Sequence, residues 1–495
     1  MSIHTSKKIS QDLSENQKRI QEVLSTCADL KLFCWQYGPN LTNTALSVFF
    51  ETLVQDKKIN FMKESMQDLV PHEIGPATMI TPQDVINFFS KHGISAQNAV
   101  LVDNFEKAVD NILHGHLVIF FDGWDTALSY AQAKQVSTRA VTEPATETVV
   151  KGPREGTVEQ LQTNLGLLRT RLPTSQFKIE KFIAGGISKT EIAFGYLEKI
   201  VDCETLSEFK KRIESAKQGD ILETGYIEEL IEDSTYSPFP QYRTTERPDV
   251  AVSGLLEGKI IVLVQGTGSI LICPGLFTEF FQASEDYYHR VIFSSCIRLL
   301  RVIGFFVALM LPSIYIALTT FHAELIPTVL LLAILNAREG LPFPVFMEAS
   351  LMIFFFELLR EAGIRLPKPV GAAVSIVGAL IIGDAAITAN IASPIIVIVV
   401  ALTGIASFSI PQYSIAISLR LIQPALMILA AILGGFGIMI GFLLIMLHLT
   451  SLRSLGQPYF NPLTPFRPRL LLDIFIRAPL KTLWKSPRKR AVRKN

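Results

Sequence analysis

The chain has 495 residues, a formal net charge of +1 and 49% hydrophobic residues. That length accommodates about three domains, and the near-neutral balance excludes the broadly basic surface that nucleic-acid binding requires. Five cysteines with no CxxC pair exclude a disulfide framework or thiolate zinc site as the organising device and fit a reducing compartment.

The N-terminus is polar and lacks an apolar signal core, so no cleaved signal peptide is expected. Residues 1–35 read as a polar extension with an amphipathic pattern at Ile20, Val23, Leu24, Cys27 and Leu30. From 36 to 137, β-rich runs such as 117–121 alternate with helical stretches at 81–91 and 102–113, predicting a first small α/β domain. The segment 138–156, rich in Thr, Glu, Pro and Gly, reads as a connector. A second α/β domain is predicted over 157–290, with helices at 157–172 and 203–216 and a strand at 190–196. It ends in a hairpin around Gln265-Gly-Thr-Gly-Ser269. That Gly-Thr-Gly lacks the following Lys-Ser/Thr and the helix of a phosphate loop. His114 and His116 have no carboxylate or third histidine at a supporting spacing and read as a surface turn.

Residues 291–450 read as an all-α polytopic membrane domain, and the soluble half is expected to stay on the side of synthesis. Apolar segments lie at 302–320, 325–335, 345–359, 370–383, 391–410 and 425–449. A span needs about 20 helical residues, so the second and fourth segments are short. Basic residues favour four spans, with Arg298, Arg301, Arg360, Arg365 and Lys368 on the side of the N-terminal domains and Arg338 and Arg420 opposite. The tail 451–495 carries eleven Lys and Arg against Asp473 and is expected to face the cytoplasm.

The segment 370–383 is short, rich in small residues and followed by Asp384. Gly371, Val374, Ser375, Gly378 and Ile382 share one helical stripe, which can pack on a neighbour or line a narrow pore. In a ring of subunits Asp384 would form a ring of acids that favours cations. Glu348 and Glu357 are acids at membrane depth, and therefore functional candidates. Glu357 and Glu361 can pair with Arg360 and Arg365, whereas Glu348 has no local partner. Seven prolines, including Pro312 and Pro424, bound or interrupt the apolar segments. No residue set points to an enzyme, a cofactor or a metal.

Several motifs together resemble the A subunits of GerA-type nutrient germinant receptors of bacterial spores. They are Glu143-Pro-Ala-Thr-Glu-Thr-Val-Val-Lys-Gly-Pro-Arg-Glu-Gly156 with Thr163-Asn164, Ser237-Pro-Phe-Pro240, and Thr245-Glu-Arg-Pro-Asp-Val250. Ser284-Glu-Asp-Tyr-Tyr288, Phe356-Glu-Leu-Leu-Arg-Glu-Ala-Gly363 and Val374-Ser-Ile-Val-Gly-Ala379 complete the set. The resemblance implies a subunit of the spore inner membrane that works with a transporter-like B subunit and a lipoprotein C subunit. It also implies a homo-oligomer forming a nutrient-gated cation channel. Two departures stand out: Gln265-Gly replaces the family's usual Asp-Gly in the terminal hairpin, and 49–54 replaces an Asp-Gly-Leu turn. A secondary transporter of a small solute is the alternative reading, and an anchored scaffold the third.

Overall fold

The computed structural model describes residues 8–37, 43–54, 99–131, 144, 147–367, 378, 381–466 and 473–481. Its fold class is the one expected, two α/β units followed by a helical region. The first unit comprises α1 (Leu13–Val23), β1 (Leu30–Tyr37), β2 (Asn43–Phe50), β3 (Ala99–Val102), α2 (Phe105–Leu113), β4 (Leu117–Phe121) and β5 (Ala127–Tyr130). The second comprises α3 (Leu161–Arg171), β6 (Phe177–Ala184), β7 (Thr190–Leu197), α4 (Cys203–Ile213), α5 (Thr224–Ile231), β8 (Arg243–Thr245), α6 (Pro248–Leu256), β9 (Ile260–Val264) and β10 (Ile270–Cys273). The predicted helix at 81–91 lies outside the described residues.

The two units are one fold used twice. Their sheets are antiparallel, with orders β1-β2-β4-β5-β3 and β6-β7-β9-β10-β8. The register repeats as well: Ala45 faces Phe121 as Ile192 faces Val264, and Val102 faces Ala127 as Thr245 faces Ile270. So do the tethers of the leading helix. The Asn16 side chain accepts from Ser10 N–H (3.0 Å) and donates to its carbonyl (2.6 Å), and Asn164 does the same with Val158 at 2.8 and 2.6 Å. Gly123 and Gly266, both at positive φ, donate to the Gln11 and Glu159 carbonyls at 2.9 Å. Gln265 Oε1 accepts from Leu161 N–H at 2.9 Å, the place that Asp122 takes toward Leu13. An amide oxygen therefore replaces the acid at this turn without loss of the hydrogen bond.

Each sheet is covered on both faces, so β4 and β9 are continuous buried apolar runs. Residues 8–35 do not form a separate extension, and residues 1–7 lie outside the described residues. Ile9, Leu13, Ile20 and Leu24 pack beneath the first sheet with Phe50 and Ile112, and β1 begins at Leu30. Of the amphipathic stripe, Ile20, Leu24 and Cys27 are buried against that sheet face or its neighbour, whereas Val23 is exposed. The units meet at Asp29 and Arg169, both fully buried and paired at 2.9 and 2.8 Å. Arg169 also donates to the Phe177 carbonyl (2.9 Å) and lies over the Phe50 ring.

The helical region contains α7 (Val291–Thr320), α8 (Thr328–Ala337), α9 (Val345–Arg365), a helical stretch at 381–388, α10 (Pro394–Phe408) and α11 (Tyr413–Ser451). Among the described residues, α7 and α11 are long and apolar enough to cross a membrane. The sixth apolar segment, expected as one span, is a hairpin of two helical legs, because α11 breaks at Gly434 (φ 61°, ψ −139°). Beyond the break, Gly437 lies against the Leu429 carbonyl and Gly441 against Leu426. Both ends consequently return to the second α/β unit: Gln412 Nε2 donates to Glu147 (3.1 Å), and His448 contacts Ser237 Oγ (2.9 Å). The tip of the hairpin packs on Phe321, and His322 Nε2 accepts from Gly435 N–H (3.2 Å). The bundle thus has a proximal end at the second unit and a distal end at Phe321 and Gly434.

The tail is not simply solvated. β11 (Arg453–Ser454) and β12 (Gln457–Pro458) form a small hairpin, and Tyr459 donates to the Pro240 carbonyl at 2.7 Å. Residues 473–481 return to the base of α7, while 482–495 lie outside the described residues.

Candidate functional site

Of the stripe residues, Gly371, Val374 and Ser375 lie outside the described residues. Gly378 is helical and rests against Leu359 of α9, so closely that an added Cβ would sit 2.7 Å from that side chain. Ile382 is half-buried, whereas Ile381, Asp384 and Thr388 form an exposed stripe. The structure therefore separates Asp384 from Gly378 and Ile382. Two residues of helix turn a side chain by about 200°, which sets Ile382 and Asp384 on opposite sides.

Glu348 is fully buried near the distal end, where the loop after α8 and the turn before α10 supply what its own helix lacks. Ser393 Oγ donates to Glu348 Oε2 at 3.3 Å, and Arg338 Nε lies 3.9 Å from Oε1. Burial of an ionised pair in an apolar bundle is tolerated only with such compensation. Glu357 pairs with Arg360 on its own helix, and Glu361 with Arg365 at 2.6 Å. His114 Nδ1 contacts the Asp110 carbonyl (2.8 Å) and His116 Nδ1 contacts Ser129 Oγ (3.1 Å), on either side of the Gly115 turn.

A second assembly of polar residues sits at the proximal end and was not singled out by residue type. It is built from the motifs that carry the family resemblance. In 284–288, Glu285 accepts from the Val150 and Lys151 N–H groups of the connector. Asp286 accepts from Arg298 Nε (2.9 Å) and Arg301 Nη1 (2.8 Å) at the base of α7. Tyr287 donates to Asp473 of the returning tail (3.0 Å), and Tyr288 donates to Asp249 (2.5 Å). Arg247, 1% exposed, pairs with that same Asp249 at 2.9 Å and donates to the Pro153 carbonyl (2.9 Å). In 237–240, Phe239 stacks on His448 and packs edge-on to Phe277. Glu147 takes one hydrogen bond from Thr245 Oγ1 (2.5 Å) and another from Gln412, joining connector, edge strand and bundle. Burial raises its carboxyl above the ordinary range, opposed by Arg243 and these hydrogen bonds. Four short motifs from residues 143–288 thus converge on the joint between the second unit and the bundle. Spacing alone could not bring them together, because their partners lie on other elements.

A family model described as Bacillus/Clostridium GerA spore germination protein matches residues 18–489. The chain is 41% identical over 481 residues to the membrane protein YfkQ of Bacillus subtilis (strain 168), covering 97% of this chain and 91% of that one. It is also 41% identical over 472 residues to spore germination protein KA of the same organism, covering 95% and 85%. Among solved structures, the N-terminal domain of the A subunit of the Bacillus megaterium spore germinant receptor GerK3 matches with 28% identity and a TM-score of 0.43. That match covers 55% of this chain and 99% of the other. The chain belongs to the GerA family of spore germination proteins, as an A subunit.

Proposed function

We propose that this A subunit assembles with copies of itself into a nutrient-gated cation channel of the spore inner membrane, working with a transporter-like B subunit and a lipoprotein C subunit. The observation that carries the reading is Asp384, an exposed carboxylate on the outer face of an apolar bundle. Facing lipid it would be costly, and a water-filled path between subunits removes that cost. A ring of such acids favours cations. Gly371, Val374, Ser375, Gly378 and Ile382 line the path when it opens, and their small side chains let this helix turn against α9.

The hairpin of α11 supports six crossings: α7, α9, the segment ending at 388, α10 and the two legs, with α8 in the connection that follows the distal end of α7. This arrangement leaves Arg338 outside and gathers Arg298, Arg301, Arg360, Arg365 and Arg420 at the proximal end. That is a stronger charge asymmetry than four spans give, and it puts the α/β units and tail in the cytoplasm.

The test is ion flux from liposomes holding the chain with its B and C partners, against a panel of nutrients. Nutrient-dependent cation release that changes with substitutions at Val374, and loses cation preference in Asp384→Asn, is the expected result. Nutrient uptake without ion release would make the protein a secondary transporter instead. The duplicated unit lies in the α/β half, so it lends no support to the inverted repeat of a transporter bundle.

A further inference from the structure

Two adjoining cavities of about 210 and 160 Å³ lie at the joint, sharing a wall that includes Arg243, Gln282 and Ser284. The larger is lined by all three bodies that meet there: Glu147 of the connector, Arg243 of edge strand β8, and Arg301 and Gln412 of the bundle. Most charges around it are already matched. Arg247 has Asp249, Arg301 has Asp286, Glu285 takes two backbone N–H groups, and both Glu147 oxygens are occupied by Thr245 and Gln412.

Arg243 differs from these. It makes no ion pair among the described residues, its one hydrogen bond is a long 3.4 Å to the Gln282 carbonyl, and its Nε has no partner. Glu147 is close enough to feel its charge, but no ion pair within 4 Å joins the two, and the hydrogen bonds that Glu147 accepts come from Thr245 and Gln412. A guanidinium presents five donors in a planar fork that matches carboxylate and phosphate. A half-buried fork with no ion pair and one long hydrogen bond, set between two cavities of this size, is what a small anion would complete.

We propose that Arg243 seats a small oxyanion, a carboxylate or a phosphate, in this joint, and that its occupancy fastens the second α/β unit to the bundle. The ligand would touch the edge strand on one side and Gln412 on the other, so it binds the joined arrangement better than a loosened one. The anion comes either from solution or from a lipid headgroup, since the bundle base is where a bilayer surface would lie. The site stands whether or not the bundle conducts ions.

The experiment uses the full chain in phosphatidylcholine nanodiscs, titrated with orthophosphate and with succinate at constant ionic strength, followed by calorimetry and thermal unfolding. Saturable binding that raises Tm by a few degrees is expected, because a ligand selective for the folded state stabilises it by mass action. Arg243→Gln should weaken binding at least about tenfold. Ser284→Asp, which keeps the arginine and adds a carboxylate to the wall that the two cavities share, should abolish binding while the protein stays folded. A Tm rise with phosphatidylglycerol nanodiscs but not with the free anions, lost in the same variants, would identify the headgroup as the source. No response to phosphate, succinate or phosphatidylglycerol, or an equal response in wild type and Ser284→Asp, would overturn the proposal.

Discussion

Asp29 and Arg169 show how much one buried pair can carry. Both side chains are fully buried, and Thr52 Oγ1 adds a third hydrogen bond to Asp29 at 3.2 Å. Asp29→Ala would leave the guanidinium buried without its counter-charge, a loss of about 3–5 kcal/mol. Denaturant unfolding of the full chain should show that loss in the transition of the α/β units. Replacing both residues by apolar ones of similar size should restore most of it; if the double replacement is as damaging as the single one, the pair is needed for geometry rather than charge balance. Nothing in the sequence marks either residue, since an arginine on a polar helix and an aspartate in a turn are ordinary. The intramembrane acids were easier to see, because ionisable groups are rare in apolar segments. Even there, the partners of Glu348 at Arg338 and Ser393 come from other elements and appear only once the helices are packed.

At the scale of elements, periodicity located α2, α3 and α4 and the strands β4 and β7, and the terminal hairpin 258–273 is β9 and β10 in antiparallel register. Its failures have physical causes. The repeat of one fold was invisible because register, not residue identity, is what the two sheets share. The break in α11 was missed because the apolar run 425–449 is unbroken by proline or charge. The available signal was the Gly434-Gly435 pair, since sharp kinks in long helices form at glycine pairs as well as at proline. Gly434 has φ 61°, and a Cβ there would meet the Phe321 side chain at 2.9 Å. Gly434→Ala therefore incurs both backbone strain and a clash, together at least about 1–2 kcal/mol. The expected outcome is a lower Tm and faster hydrogen exchange at 321–322 and 434–437; an unchanged Tm would mean that the tip tolerates another turn.

For the whole molecule, the question is whether the α/β half and the bundle act as one body. The contacts at the joint are ionic and hydrogen-bonded around Asp286, with an aromatic cluster of Phe239, Phe277, Phe281 and Phe305 beside them. Arg298 and Arg301 are 1% and 8% exposed and share Asp286, and Arg298 also pairs with Asp473 at 3.2 Å. Polar joints of this kind break without unfolding what they connect, because each α/β unit has its own cores on both faces of its sheet. Asp286→Asn keeps the shape and removes the charge that two buried guanidinium groups share. Its cost, again about 3–5 kcal/mol, should fall on the joint. Hydrogen exchange should therefore quicken at 284–288 and 473–481 while the amides of β9 keep their protection. If protection is lost equally in β9, the second unit draws its stability from the bundle, and a signal could not pass between them as the movement of one body against another. Selective loss would instead mean that the joint is the weakest link between the α/β units and the helical bundle, and so the place where a small free energy has its largest effect.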